Sequence, residues 1–135
     1  MIGALSHVSV VVPDLVAACK RLQDTFGMDI GPIHVNERQG VRLAMVQLTN
    51  AKIELTEPLS RHGALWRFLE RNPNGGLHHI ALEVQSIEGT VSTLRAAGIG
   101  LAGELGFNVQ GRPIAFVHPR DFLGVLLELE EEMHD

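Results

Sequence analysis

The stretch Gly75-Gly76-Leu77-His78-His79-Ile80-Ala81-Leu82-Glu83-Val84 decides how the rest of the chain is read. A glycine pair breaks the chain, and a strand pattern then begins with two histidines at its head. Near the N-terminus the same phrase stands as Leu5-Ser6-His7-Val8-Ser9-Val10-Val11-Val12. With His7 set on His79, each half gives a histidine-led strand, a short acidic turn and a helix that ends in glycine. The chain therefore reads as a duplicated module, and an internal repeat changes the whole fold assignment.

Each half can be followed outward from its histidine. After Val12, Pro13-Asp14 stops the strand. Asp14 is placed to cap a helix over Leu15–Phe26, closed by Gly27. A weak strand over Met28–Val35 is broken by Gly31-Pro32. A polar turn ending at Gly40 leads to strands over Val41–Leu48 and Lys52–Glu57. In the latter, Lys52, Glu54 and Thr56 share one face, Ile53 and Leu55 the other. The second half repeats this order: a strand over Leu77–Val84, then a helix over Ile87–Ala97 capped by Ser86. A weak strand over Ile99–Leu105 follows, then one over Ile114–His118 and one over Leu123–Glu130. There Glu128 and Glu130 share a face with Leu126. Residues 59–74 form a linker with its own helix over Gly63–Arg71, striped by Leu65, Trp66, Phe68 and Leu69. The expected architecture is α+β: two tandem β-α-β-β-β modules, about 1–58 and 75–132, whose curled mixed sheets enclose a metal site, in a single domain over 1–135.

Composition excludes several classes. The chain is 45% hydrophobic and 20% charged, as an ordinary globular protein is, not a disordered one. A net charge of -5 with scattered basic residues carries no nucleic-acid footprint. No apolar run approaches the roughly 18 residues of a membrane span, and no signal peptide is evident. The single cysteine, Cys19, fits a cytoplasmic location and reads as a packed side chain. The acidic end, Glu130 to Asp135, reads as a solvated terminus, and Arg42, Arg112 and Arg120 as surface charges.

His7 precedes Glu54 by 47 residues, and His79 precedes Glu128 by 49. If the first and fourth strands of each module lie side by side, two imidazoles and two carboxylates meet. Both glutamates sit among apolar strand neighbours, where an unpaired carboxylate is costly. Such a mixed nitrogen and oxygen set suits a divalent Co, Ni, Mn, Zn or Fe ion, with positions left open for a substrate oxygen. Strand alternation lets only one of His78 and His79 face inward, and the match to His7 favours His79.

The motifs His7–Leu15, Lys52–Leu59, Phe68-Leu69-Glu70, Gly75–Val84, Gly111–Asp121 and Gly124–Glu130 together span nearly the whole chain. In them the chain resembles the vicinal oxygen chelate (glyoxalase/bleomycin-resistance) superfamily, and within it the methylmalonyl-CoA epimerases. The resemblance implies a divalent metal, cobalt first, held by His7, Glu54, His79 and Glu128. It implies epimerisation of methylmalonyl-CoA or a related 2-substituted acyl-CoA through a metal-stabilised enolate, with Glu128 as base and Glu54 as the second carboxylate. It further implies an acyl-CoA substrate and a homodimer. The chain departs from the family pattern at Leu43, where some relatives carry a glutamate, and at Phe122-Leu123-Gly124, where relatives often have paired glycines. The first helix also lacks an aromatic pair. Two other readings use the same fold: a glyoxalase-type isomerase of hemithioacetals, resembling lactoylglutathione lyase, and a metal-free small-molecule binding protein.

Overall fold

The computed structural model describes residues 1–133. The elements run β1 (Ile2–Val11), α1 (Leu15–Phe26), β2 (Asp29–Ile30), β3 (His34–Asn36), β4 (Val41–Gln47) and β5 (Lys52–Pro58). There follow α2 (Ala64–Arg71), β6 (Gly76–Val84), α3 (Ile87–Ala96), β7 (Gly106–Phe107), β8 (Pro113–Val117), a 3-10 turn (Pro119–Asp121) and β9 (Leu126–Glu131). The expected α+β class is present, and the elements keep the expected order except after α3, where the next strand is β7 rather than one over Ile99–Leu105. Among the described residues no helix is long and apolar enough to cross a membrane.

The chain forms two compact units, Val8–His78 and Met1–His7 with the described residues from His79 onward. It passes between them inside β1, after His7, and inside β6, after His78. In the Val8–His78 unit, β4 pairs antiparallel with β2, β3 and β5. The end of β1 runs beside β5, with the Val12 N–H donating to the Thr56 carbonyl at 2.8 Å. Leu15 and Cys19 of α1 pack on Ala44, Val46 and Leu55. Each fully buried aliphatic side chain of such a core contributes about 2 kcal/mol. Gly75 sits at φ 86°, and a Cβ there would run into the Val11 carbonyl, so the break before β6 requires glycine.

In the other unit β6 pairs parallel with β9, and β9 and β7 both pair antiparallel with β8. Ile87 and Val91 of α3 cover Ala115, Val117, Leu127 and Leu129. The two long helices start alike. Asp14 accepts from the Ala17 N–H at 3.0 Å and Ser86 from the Gly89 N–H at 3.1 Å. Each also takes a strand carboxylate at its first turn: Leu15 N–H to Glu57 at 3.3 Å, Ile87 N–H to Glu131 at 2.9 Å.

Several expectations are corrected. Residues Ile99–Leu105 form no strand. Gly98 and Gly103 take positive φ there, and only Leu101 makes a single bridge, to Val117. The last strand begins at Leu126 rather than Leu123, because Leu123 and Gly124 adopt φ of 58° and 80° and complete a turn onto the Pro119 carbonyl. The acidic end is not simply solvated. Glu130 is buried, and Glu131 is half-buried at the head of α3, while His134 and Asp135 lie outside the described residues. Arg112 is no surface charge either, since it is ion-paired to Glu130 at 2.8 Å. Arg42 pairs with Glu57 at 3.0 Å, whereas Arg120 stays exposed as expected.

Candidate metal centre

Strand β9 places its glutamates by alternation. Leu127 and Leu129 face α3, which leaves Glu128 and Glu130 on the opposite face. Glu128 stands beside Ala81 of the parallel strand β6, two residues beyond His79. His7 joins them, since the start of β1 belongs to this unit and not to the unit that holds Glu54. The His7 Nε2 lies 3.5 Å from one oxygen of Glu128, and the His79 Nε2 lies 3.7 Å from the other. The two rings are 5.6 Å apart, edge to face, and His79 is also edge-on to Phe116 at 5.8 Å. His7, His79 and Glu128 are only 6–7% exposed.

These separations are too long for good hydrogen bonds. They are close to those of donors that share a cation: with bonds of about 2.1 Å, ligand atoms at neighbouring positions stand roughly 3.0–3.5 Å apart, which the His7 pair meets and the His79 pair slightly exceeds. The His7 Nε2 is buried and makes no hydrogen bond to the described residues. A set of imidazole nitrogen and carboxylate oxygen suits a borderline or hard divalent ion. The donor chemistry therefore fits a divalent metal.

A second acidic group, Glu130, also lies near His7: ligand atoms of His7, Glu128 and Glu130 fall within 4.8 Å of one another. Its carboxylate is already engaged, however. Arg112 contacts it at 2.8 Å, the Ser6 hydroxyl donates to it at 3.0 Å and the Asn108 amide at 3.1 Å. Glu130 is thus already engaged by three donors. The sequence reading passed over it as part of a tail. Its signal was the alternation that puts it on the face of Glu128.

His78 points away from this cluster, half-buried and edge-on to Phe68 at 5.5 Å, and burial pushes its imidazole pKa down. In the Val8–His78 unit, Glu54 is half-buried on β5, opposite Met45. It accepts from the Ser9 hydroxyl at 3.1 Å, and Ser9 is 1% exposed. Two residues on, Thr56 stands opposite Leu43. Its hydroxyl is buried and makes no hydrogen bond to the described residues. Leu43 is a buried aliphatic side chain and cannot move a proton.

Residues 6–116 match the model of the Glyoxalase/Bleomycin resistance protein/Dioxygenase superfamily. The chain is 41% identical over 133 residues to the ethylmalonyl-CoA/methylmalonyl-CoA epimerase of Cereibacter sphaeroides, covering 97% of this chain and 99% of that protein. It is 37% identical to the human mitochondrial methylmalonyl-CoA epimerase, covering 96% and 74%. Its structure superposes on that of methylmalonyl-CoA epimerase from Mycobacterium tuberculosis with a TM-score of 0.88 and 30% identity, covering 98% and 90%. A methylmalonyl-CoA epimerase solved with methylmalonyl-CoA and ammonium gives 0.87 and 29%, covering 98% and 96%.

Proposed function

The chain belongs to the glyoxalase/bleomycin resistance/dioxygenase superfamily, and from that premise we propose that it is a metal-dependent epimerase of methylmalonyl-CoA or a related 2-substituted acyl-CoA. The observation that carries this reading is the buried Glu128 carboxylate faced by the Nε2 atoms of His7 and His79. Proteins named as epimerases of this substrate are also among the chain's relatives, matched over 97% and 96% of this chain. His7, His79 and Glu128 hold a divalent ion, with Glu54 as the fourth ligand; cobalt comes first, and nickel, manganese, zinc or iron meet the same donor chemistry. When bound, the ion supplies Lewis-acid stabilisation of the negative charge that develops on the thioester oxygen.

The chain's own residues move the proton. Epimerisation removes the α-proton from one face of the carbon and returns one to the other, so it needs two acid/base groups. Glu128 takes the proton, and its burial limits the access of water. Glu54, protonated at the start of this direction, gives its proton to the opposite face and ends as the carboxylate, oriented by the Ser9 hydroxyl. The roles exchange for the other stereoisomer. Leu43 contributes no proton transfer, so this pair of glutamates carries both halves of the step. We further propose a homodimer in solution, tested by light scattering, and a cytoplasmic location, supported by the single buried free thiol.

Deuterium exchange tests the reading. The protein is incubated with cobalt and methylmalonyl-CoA in heavy water, and loss of the α-proton signal is followed. Rapid exchange that needs metal and disappears in Glu128→Gln is the expected result. Stoichiometric metal binding without exchange would overturn the assignment to this substrate.

A further inference from the structure

We propose that Ser6, Glu130 and Arg112 form a relay that fixes neutral His7 as its Nδ1–H tautomer, leaving the Nε2 lone pair to a metal. The inference rests on His7 being a ligand, as proposed above. The Ser6 hydroxyl is within hydrogen-bond distance of two groups, Glu130 Oε1 at 3.0 Å and His7 Nδ1 at 3.1 Å. A hydroxyl has one proton to give, and an ionised carboxylate only accepts. The hydroxyl proton therefore goes to Glu130, and the serine oxygen accepts from the ring. That requires the ring proton on Nδ1.

The carboxylate at the far end is surrounded by donors. Arg112 Nη2 lies 2.8 Å from Glu130 Oε1, and the Asn108 amide donates to Oε2 at 3.1 Å. Arg112 is held in turn. Its own N–H donates to the Asn108 side chain at 2.9 Å, and its Nη1 reaches the Glu131 carbonyl at 3.4 Å. Glu130 is 3% exposed, so bulk water does not replace the serine. The rival arrangement places the proton on Nε2, pointing at Glu128. That oxygen is 3.5 Å away, too far for a good hydrogen bond. In this proposal the relay residues are positioning residues that act through His7. A ligating histidine is commonly oriented by a partner on its other nitrogen, and loss of the partner typically weakens metal binding 10- to 100-fold.

The test uses the full chain with two readouts. Ring-nitrogen NMR of the metal-free protein at about pH 8, where imidazole is neutral, reports the tautomer. Cobalt titration reports affinity. His7 is expected as Nδ1–H in the unaltered chain. Ser6→Ala should lose that preference and weaken cobalt binding about tenfold, while Ser6→Thr, which keeps the hydroxyl, restores both. Glu130→Gln, which keeps an acceptor for Ser6 but loses the charge, should give an intermediate tautomer population. An Nε2–H ring in the unaltered chain overturns the proposal, as does a Ser6→Ala protein with the tautomer unchanged. His7→Ala that binds cobalt as tightly as the unaltered chain would sink the ligand reading alone, because the tautomer is measured without metal and decides the relay by itself.

Discussion

Thr56 and Glu130 hold the same place in the two halves, each two residues beyond a strand glutamate and 74 residues apart, yet their surroundings are opposite. Glu130 is buried with Arg112, Ser6 and Asn108 on its carboxylate. Thr56 is buried opposite a leucine with its hydroxyl bonded to no described group. The helix starts, by contrast, have stayed alike. Ser86 follows Asp14 by 72 residues, the interval from His7 to His79, and Glu131 follows Glu57 by 74, the interval from Glu54 to Glu128. The residues that hold the helix starts are alike in the two halves. Those two beyond the strand glutamates differ: Glu130 engages Ser6 and Arg112, whereas the Thr56 hydroxyl bonds to no described group.

The sharpest way to break this contrast is Glu130→Ala. It leaves Arg112 largely buried without its counter-charge, which costs about 3 kcal/mol. Urea unfolding measures it. A loss below about 1 kcal/mol would mean that Arg112 re-solvates easily and that the carboxylate is no more than a surface pair.

The two helix starts supply the next test. Asp14→Ala and Ser86→Ala should each cost about 1 kcal/mol, because each removes the side-chain acceptor of a first-turn N–H. Near-equal losses in chemical unfolding would support the parity of the copies. If one loss were several times the other, the backup carboxylates Glu57 and Glu131 would not be equivalent. That result is physically open to test, because Glu57 also serves Arg42.

Thr56→Val carries the opposite sign. A buried hydroxyl without a partner costs roughly 1–3 kcal/mol of desolvation, and valine has nearly the same shape. The substitution should raise stability by up to about 1 kcal/mol in thermal or urea unfolding. A loss instead would show that the hydroxyl has a water or ligand to bind.

Much of this was legible in the chain. The helix Leu15–Phe26 stands at its expected bounds, since Asp14 and Gly27 mark its ends by local chemistry alone. Strand alternation put Leu127 and Leu129 on one face and Glu128 on the other. What escaped depends on contacts distant in sequence. Ser6 and Glu130 are 124 residues apart, and nothing in the local pattern of either announces the other. Arg112 looked like a surface charge because its partner lies across a strand pair. His7 falls in one unit and Glu54 in the other because β1 passes between the units after His7, which no local pattern marks.

The smallest effect concerns Leu123. It is the one non-glycine among the described residues with positive φ, at 58°, and it is 91% exposed. A left-handed conformation costs a residue with a Cβ about 1–2 kcal/mol. Leu123→Gly removes that strain but adds about 0.4–1 kcal/mol of unfolded-state entropy. The difference favours glycine by about 0.5 kcal/mol, a gain that paired urea curves can resolve. The turn lies just before β9, the strand that carries Glu128. If Leu123→Gly lost stability, the side chain would have to be making a contact that its exposure does not reveal, such as one with a second copy of the chain. The measurement would then be repeated across protein concentration, where only an intermolecular contact makes the loss vary.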